Sequence, residues 1–554
     1  MSGYQPPQIK GKGRQFMRLP HNDSGFTRLI WGTFIMGALF CLAAICLISL
    51  YQAGLADTNI SRLLSRPYFG YVIYITLIQA LLSVILSVCG GVLGAIALHR
   101  RWHWPLRRLI LAGCFMAMIV PTTVAAISLL KLWGQSGFIS LLGGSAIIPD
   151  RLGLWSVLLA HCFFNIPLIM RVCLSRLQSV PQGQYRHAAL LRFSAGAYFR
   201  HIEWPAIRTV LPSVSGLVFL LCFTSFSLVL MLGGGPAITT MEVSIYTALR
   251  FDFDLSKAAV LCVIQLVICA IILVFIKPSS TNFASDNVLD AAPLRADHQS
   301  KIWLVGDGLL WFGLVILLLV PLGLLIFNSD IRGGIDFLST PRFWSAFAHS
   351  VALAIGAATG AVTLAMSLAM AAAEAQRRHW PLLSRLVEFS HSLFLLVPAL
   401  VLGTSFFILL RPYVAVFDYG FYIILLGNAL LSLPFCYRIL APALLTHWYK
   451  TDRLCHALRL GIWQRFRLIT LPALGAEFAF AFGLSAALSF GDLGIITLFG
   501  SQEFETLPYL LFQFMNRYGA AEADLLALVL LGSALSLYYI SYYLIKVYRG
   551  LLAR

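Results

Sequence analysis

Charge is scarce in this chain. Of 554 residues only 11% are charged, and the acids are the rarer sign, 23 against 40 lysines and arginines. Ordinary soluble domains carry about 25% charged residues, so this chain has too little to clothe a water-soluble fold of its length. Catalytic signatures are missing as well. There is no G-x4-GK[ST] phosphate loop, no HExxH, and no nucleophile elbow with the rest of a hydrolase fold, so neither ATP hydrolysis nor metalloprotease or serine chemistry has support. The eleven cysteines form neither a CxxC nor a metal-ligand spacing. Cys41, Cys89, Cys222 and Cys269 fall inside apolar runs and read as small hydrophobes.

Apolar sequence is what the chain has in abundance: 59% of residues are hydrophobic, and the mean hydropathy is +0.84. Residues 1–28 form a basic, polar tail with Lys10, Lys12, Arg14 and Arg18. The run from Leu29 to Ala53 is longer than a signal-peptide core and lacks a small-residue cleavage site, so it is expected to stay as a membrane helix. Further runs lie at about 70–98, 107–133, 154–178, 208–232 and 257–276. A polar stretch, 277–301, reads as a linker. A second set follows at about 302–327, 343–373, 385–410, 421–446, 473–499 and 523–547. Each run can cross a hydrocarbon core, which takes about 20 helical residues. The expectation is an all-α membrane protein of about 12 transmembrane helices in two six-helix halves, 29–276 and 302–554.

Alternate loops are rich in arginine: Arg100, Arg101, Arg107 and Arg108; Arg186, Arg192, Arg200 and Arg208; Arg377, Arg378 and Arg385; Arg453, Arg459, Arg465 and Arg467. The positive-inside rule puts these loops, and both termini, in the cytoplasm. It also accounts for the net charge of +17 without nucleic acid.

One stretch occurs twice. Arg186, Arg192, Arg200 and Pro205 recur as Arg453, Arg459, Arg467 and Pro472, always 267 residues later, and the register extends from Pro167 with Pro434 to Gly233 with Gly500. Leu454, Ala457 and Leu458 follow helical spacing between Arg453 and Arg459; Leu190, Leu191 and Phe193 stand among Arg186, His187 and Arg192. Each copy is expected to be a short amphipathic helix, with Pro205 and Pro472 marking the return to the membrane. Two readings fit such a helix. It lies on anionic lipid, or it docks a soluble partner, and duplication suits a partner that is itself a symmetric dimer.

In the second copy, Trp463-Gln-Arg-Phe-Arg-Leu-Ile469-Thr-Leu-Pro472 resembles the end of the cytoplasmic motif EAA-x3-G-x9-I-x-LP of type I ABC importer permeases. Both copies depart from it alike, with Arg192 and Arg459 at the Gly position and Arg186 and Arg453 at the Glu position. Within that family the chain resembles the fused thiamine and thiamine pyrophosphate permeases, through Leu158-Leu-Ala-His-Cys-Phe-Phe-Asn-Ile-Pro167, Leu232-Gly-Gly-Gly-Pro236, Phe251-Asp-Phe-Asp254 and Phe490-Gly-Asp-Leu-Gly494. The resemblance implies two copies of a separate ATP-binding subunit, which would hold the ATP and magnesium, a periplasmic binding protein, and an inner-membrane location. No cofactor is expected in this chain. The docking residues implied are Arg186, His187, Leu191 and Arg192 in one copy and Arg453, Leu454, Leu458 and Arg459 in the other.

Asp492 lies inside an apolar run, and its mate by the repeat is Ser225. An embedded carboxylate commonly faces a bundle interior or a water-filled path, so these two are candidates for the translocation path. Gly233, Gly234 and Gly235 form a candidate outer hinge, or simply end a helix. His161 and Asn165, one turn apart, read chiefly as interhelical packing glue. The loop from Glu242 to Asp254 is expected on the outer face, where a binding protein would dock. Three alternatives stay open: a fused ferric-iron permease, a gradient-driven transporter dependent on an acid such as Asp492, and a membrane-embedded enzyme, for which no clustered catalytic set exists.

Overall fold

The computed structural model describes residues 23–55, 67–134, 137–141, 153–235, 238–275, 301–458, 460–501, 503–516 and 520–552. Among these every regular element is helical. Eight helices are long and apolar enough to cross a membrane, and up to eleven spans result if each bent pair is one span. The remaining expected run, 107–133, is two helices meeting at Val120-Pro121: α3 (Leu106–Ile119) and α4 (Thr122–Trp133).

Before them come α1 (Asp23–Leu55) and α2 (Pro67–Arg100); after them come α5 (Leu154–Gln178) and α6 (Gln182–Leu190). Next are α7 (Leu211–Phe223), α8 (Ser227–Leu232), α9 (Met241–Arg250) and α10 (Leu255–Phe275). The later part of the chain follows the same order, from α11 (Lys301–Leu318), α12 (Val320–Phe327) and α13 (Pro341–Arg377) to α14 (Pro381–Leu396) and α15 (Ala399–Leu410). It ends with α16 (Gly420–Ala457), α17 (Gly475–Phe490), α18 (Ile496–Phe499), α19 (Leu507–Asn516) and α20 (Ala520–Leu552).

Similar hydrogen bonds to helix ends occur in the two sets of helices, though not at the 267-residue offset. The Thr76 hydroxyl accepts from Met241 N at 2.9 Å, tying the start of α9 to α2; the Ser350 hydroxyl accepts from Leu507 N at 2.9 Å, tying α19 to α13. Each bond satisfies an N–H that the first turn of a helix leaves open, which matters most where no water can serve.

The first helix of each set packs on the other set. α1 lies against α13, α14 and α15, and α11 lies against α2 and α3. An ionic cluster fixes the second crossing: Arg100 and Arg101 reach Asp307 at 3.1 and 2.9 Å, all three buried. Trp104 packs edge-on against Trp311 at 4.9 Å. Near the end of α4, Lys131 pairs with Asp524 at 2.7 Å; Arg250, the last residue of α9, donates to the Gly500 carbonyl at 3.1 Å.

Candidate docking loops and membrane-embedded breaks

The first basic loop begins where Pro181 separates α6 from α5. Tyr185 and Ala188 of α6 turn inward and form a small cluster with Tyr198 and Ile202. Tyr185 stacks on Tyr198 at 6.5 Å and lies 5.2 Å from His99 at the end of α2, so the loop is anchored to a membrane helix through one ring. The opposite face carries the candidate residues. Arg186, His187 and Arg192 are exposed, and Leu190 and Leu191 are 80% and 70% exposed. Two leucines held open beside arginines make a surface that an apolar partner with an acidic rim would cover.

Arg192 adopts φ 51, the left-handed conformation that ends a helix, and Phe193 N returns to the Ala188 carbonyl at 3.0 Å. The resemblance places the family's glycine at this position. Here an arginine carries the turn that glycine makes without strain.

The second loop differs from the expected short helix. α16 runs unbroken to Ala457, so the docking segment is the last part of a 38-residue helix. The reason is local: the position equivalent to Pro181 is Trp448, which retains the N–H that continues a helix. Cys455 is buried and Leu458 is 58% exposed. Leu460 N returns to the Cys455 carbonyl at 3.1 Å, the counterpart of the Phe193 bond. Arg459 and the side chains of Arg453 and Leu454 lie outside the described residues.

Each loop rejoins the membrane through a π-helical turn, Phe199–Glu203 and Phe466–Thr470, directly before the turn that holds Pro205 or Pro472. A proline lacks the N–H for the preceding ladder and crowds the carbonyl four residues back; a wider turn relieves both. The chain then bends by 62° into α7 and by 74° into α17.

Five expected spans are interrupted, at Val120-Pro121, Thr224–Phe226, Leu319, Val397-Pro398 and Gly491–Ile495. One of the interruptions, Gly491–Ile495, abuts two of the others. A Cβ on Gly491 would lie 2.7 Å from Pro121 Cβ, and one on Gly494 would lie 3.0 Å from Ala399 Cβ. Asp492 sits between these two contacts. Its Oδ1 accepts from Gly494 N at 3.0 Å, while its buried Oδ2 has no hydrogen-bond partner among the described residues. Ser225 is half-buried in the equivalent break, and no hydrogen bond joins it to Asp492. Pro121, Pro398 and Asn428, which lies beside Asp492, were not among the sequence candidates. The Val-Pro pairs inside apolar runs were the available signal.

Gly233 ends α8, its N–H donating to the Val229 carbonyl at 2.8 Å, and Gly234 and Gly235 adopt φ 72 and 94. Residues with a Cβ rarely adopt such angles, so these positions suit glycine, at a helix end and at a hinge alike. The outer loop departs from expectation at Glu242, which is buried and accepts from Gln265 Nε2 at 2.9 Å. Phe251, Asp252, Phe253 and Asp254 do stand exposed. His161 and Asn165 tie helices together: Nδ1 of His161 lies 2.8 Å from the Ser83 hydroxyl, and Asn165 Nδ2 donates to Cys222 Sγ at 3.2 Å.

Comparison with known proteins agrees with this architecture. Residues 87–277 match the family of binding-protein-dependent transport system inner membrane components. The thiamine transport system permease protein ThiP of Salmonella typhimurium is 34% identical over 467 residues, covering 84% of this chain and 87% of the relative. ThiP of Brucella abortus is 37% identical over 472 residues, 84% of this chain and 85% of the relative, and ThiP of Haemophilus influenzae is 33% identical over 472 residues, covering 84% and 86%. With identity at this level across both copies of its repeat, the chain belongs to the thiamine transport system permease family of binding-protein-dependent inner-membrane transport components.

Proposed function

We propose that this chain is the membrane permease of an ATP-driven importer that carries thiamine or thiamine pyrophosphate inward. The observation that carries the reading is the extent of the similarity: a match of 467 residues spans both copies of the repeat, and the relatives share one transport role. A ferric-iron cargo is not favoured, since these relatives are thiamine permeases.

The finer reading is that 29–276 and 302–554 are two six-span halves joined by the linker 277–301, with both termini in the cytoplasm. Two copies of an ATP-binding subunit dock beneath, on Arg186, His187, Leu191 and Arg192 and on Arg453, Leu454, Leu458 and Arg459. The exposure of Leu190, Leu191 and Leu458 supports this. A periplasmic binding protein delivers the cargo at the opposite face, where Phe251 and Phe253 are open. Asp492 and Ser225 line the path between, and Gly233, Gly234 and Gly235 act as an outer hinge. Closure of the ATPases pushes on the docking loops, and the halves rock about the abutting helix breaks. The permease performs no covalent chemistry itself.

The test is uptake of labelled thiamine into proteoliposomes holding the permease, its ATPase and its binding protein, with ATP on the ATPase side. Uptake that requires ATP and both partners supports the reading. Uptake driven by a proton gradient without the ATPase would sink it.

A further inference from the structure

Buried carboxylates in this chain are mostly committed to partners. Asp307 is held by Arg100 and Arg101, Glu374 by Arg377 and Arg378, and Glu505 by Arg342 at 2.7 Å. Glu242 shares a hydrogen bond with Gln265 inside the α9–α10 packing. Glu242 Oε2 also lacks a hydrogen-bond partner among the described residues, so what sets Asp492 apart is its place. It occupies a helix break, between the contact of Gly491 with Pro121 and that of Gly494 with Ala399, and its enclosed Oδ2 has no partner among the described residues. The residue as a whole is only half-buried.

Beside it is a second unpartnered acceptor. The Ser489 hydroxyl lies 3.4 Å from the Leu353 carbonyl, to which it donates, and accepts from Asn428 Nδ2 at 3.0 Å. That chain fixes the amide's orientation and leaves Asn428 Oδ1 without a donor. Asp492 Oδ2 and Asn428 Oδ1 are thus both left without a donor at this break, with the Asn428 amide facing the Asp492 carboxyl group. The nearest described cation on the same helix, Arg438, is ten residues further along, about 15 Å at a rise of 1.5 Å per residue.

We propose that Asp492 and Asn428 form a subsite for an organic cation bearing N–H donors, and that it receives the charged ring of the cargo in transit. The proposal rests on the thiamine reading above. Thiamine's thiazolium is a quaternary, permanent cation. It cannot shed its charge on entering a low-dielectric passage, as an amine can, so it needs a fixed counter-charge along the way. Asp492 Oδ2 supplies the charge, and Asn428 Oδ1 supplies an acceptor for the amino group of the pyrimidine ring. Because the subsite lies on a helix break, a change in the bend moves it, which lets it bind in one state and release in the other.

The experiment uses the complete complex in proteoliposomes and reads two quantities, uptake of labelled thiamine and ATP hydrolysis stimulated by the binding protein. Asp492→Asn is expected to lower uptake about tenfold, the scale of losing one desolvated charge interaction, with assembly and stimulated hydrolysis retained. Moving the carboxylate across the break, Asn428→Asp with Asp492→Asn, is expected to restore uptake to within about threefold of wild type. If Asp492→Asn fails to assemble, Asn428→Thr takes its place, removing the amide oxygen, with uptake down about threefold. Unchanged uptake in the assembled single variant, or a double variant no better than Asp492→Asn, would overturn the subsite while leaving the permease reading intact. A wild-type complex that hydrolyses ATP but takes up no thiamine would overturn both.

Discussion

The two copies of the repeat solve the same packing problem with different polar chemistry. In the first, α2 sends Gln79 and Ser83 across the interior: Gln79 Nε2 donates to the Cys222 carbonyl at 2.8 Å, and Ser83 bonds His161 at 2.8 Å. In the second, the register set by Thr76 and Ser350, 274 residues apart, puts Leu353 and Ala357 at those places, and both are apolar. The 267-residue register replaces His161 by Asn428, Cys222 by Ser489 and Ser225 by Asp492. The first copy joins these polar groups to one another, leaving Gln79 Oε1 and His161 Nε2 without a hydrogen-bond partner among the described residues. The second receives no polar side chain at those places of α13 and keeps two acceptors open. A buried polar group without a partner is expensive, and one retained beside a helix break is consistent with a partner that arrives from outside. Fusion of two copies into one chain is what permits this asymmetry, because each copy then varies alone.

Exchanging residues between the copies tests that contrast most severely at the breaks. Gly491 has Thr224 as its mate. Gly491→Thr would drive a Cβ to 2.7 Å from Pro121, whose ring cannot move aside as a flexible chain would. Overpacking of this kind costs roughly 1–3 kcal/mol. Thiamine uptake should fall more than about tenfold if the contact must also slide during transport. Thr224→Gly should leave uptake near wild type, and equal damage from both would show that the breaks are not distinct in role.

A second contrast concerns the docking loops. Leu191→Glu places a charge on a residue that is 70% exposed, so the permease should melt as wild type does while its ATPase no longer co-purifies. Leu458→Glu makes the same change on the rigid end of α16. Should the two docking sites be equivalent, each variant alone abolishes coupled uptake. Loss in one only would make the pair functionally unequal. Smaller still is Ser83→Ala, which leaves His161 without its hydroxyl partner and should lower thermal stability by about 0.5–1 kcal/mol, the usual worth of an interhelical hydrogen bond in a membrane. Ala357→Ser, at the matching position, offers the second copy a hydroxyl. It should lower uptake if that hydroxyl satisfies Asn428.

Much of this was legible in the sequence and some was not, for identifiable reasons. Low charge, long apolar runs and the 267-residue register led to a duplicated membrane protein with basic loops, and the apolar pattern near Leu190 and Leu458 led to the exposed faces. The helix breaks were hidden because proline is ambiguous in a membrane. Pro167, Pro434 and Pro442 stay inside the continuous helices α5 and α16, whereas Pro121 and Pro398 end one helix and start another. Neighbouring helices decide which carbonyls freed by a proline find new donors, and no local window holds that information. The merging of the second docking segment with α16 turned on one residue, Trp448 in place of Pro181. The Asn428–Asp492 neighbourhood joins positions 64 apart and depends on how α16 meets α17. The repeat still held a hint, since the polar mates of His161 and Ser225 are these two residues.

The smallest expected effect is the one that best separates conformation from charge. Arg192 holds φ 51, where an L-residue pays roughly 1–2 kcal/mol that glycine does not. Arg192→Gly removes that strain but adds freedom to the unfolded chain, worth roughly 0.5–1 kcal/mol in the opposite sense. The net gain should be under about 1 kcal/mol, a rise of a few degrees at most in the melting of the detergent-solubilised permease. Arg192→Ala keeps the strained turn and loses the same charge. If the arginine were there for the turn, only the glycine variant would stabilise the loop, and both would still bind the ATPase. If it is there for its charge at the docking face, both variants weaken ATPase co-purification alike, while the glycine variant alone melts higher. The second outcome is the expected one, because an exposed arginine that keeps a strained backbone conformation has its use outside the chain.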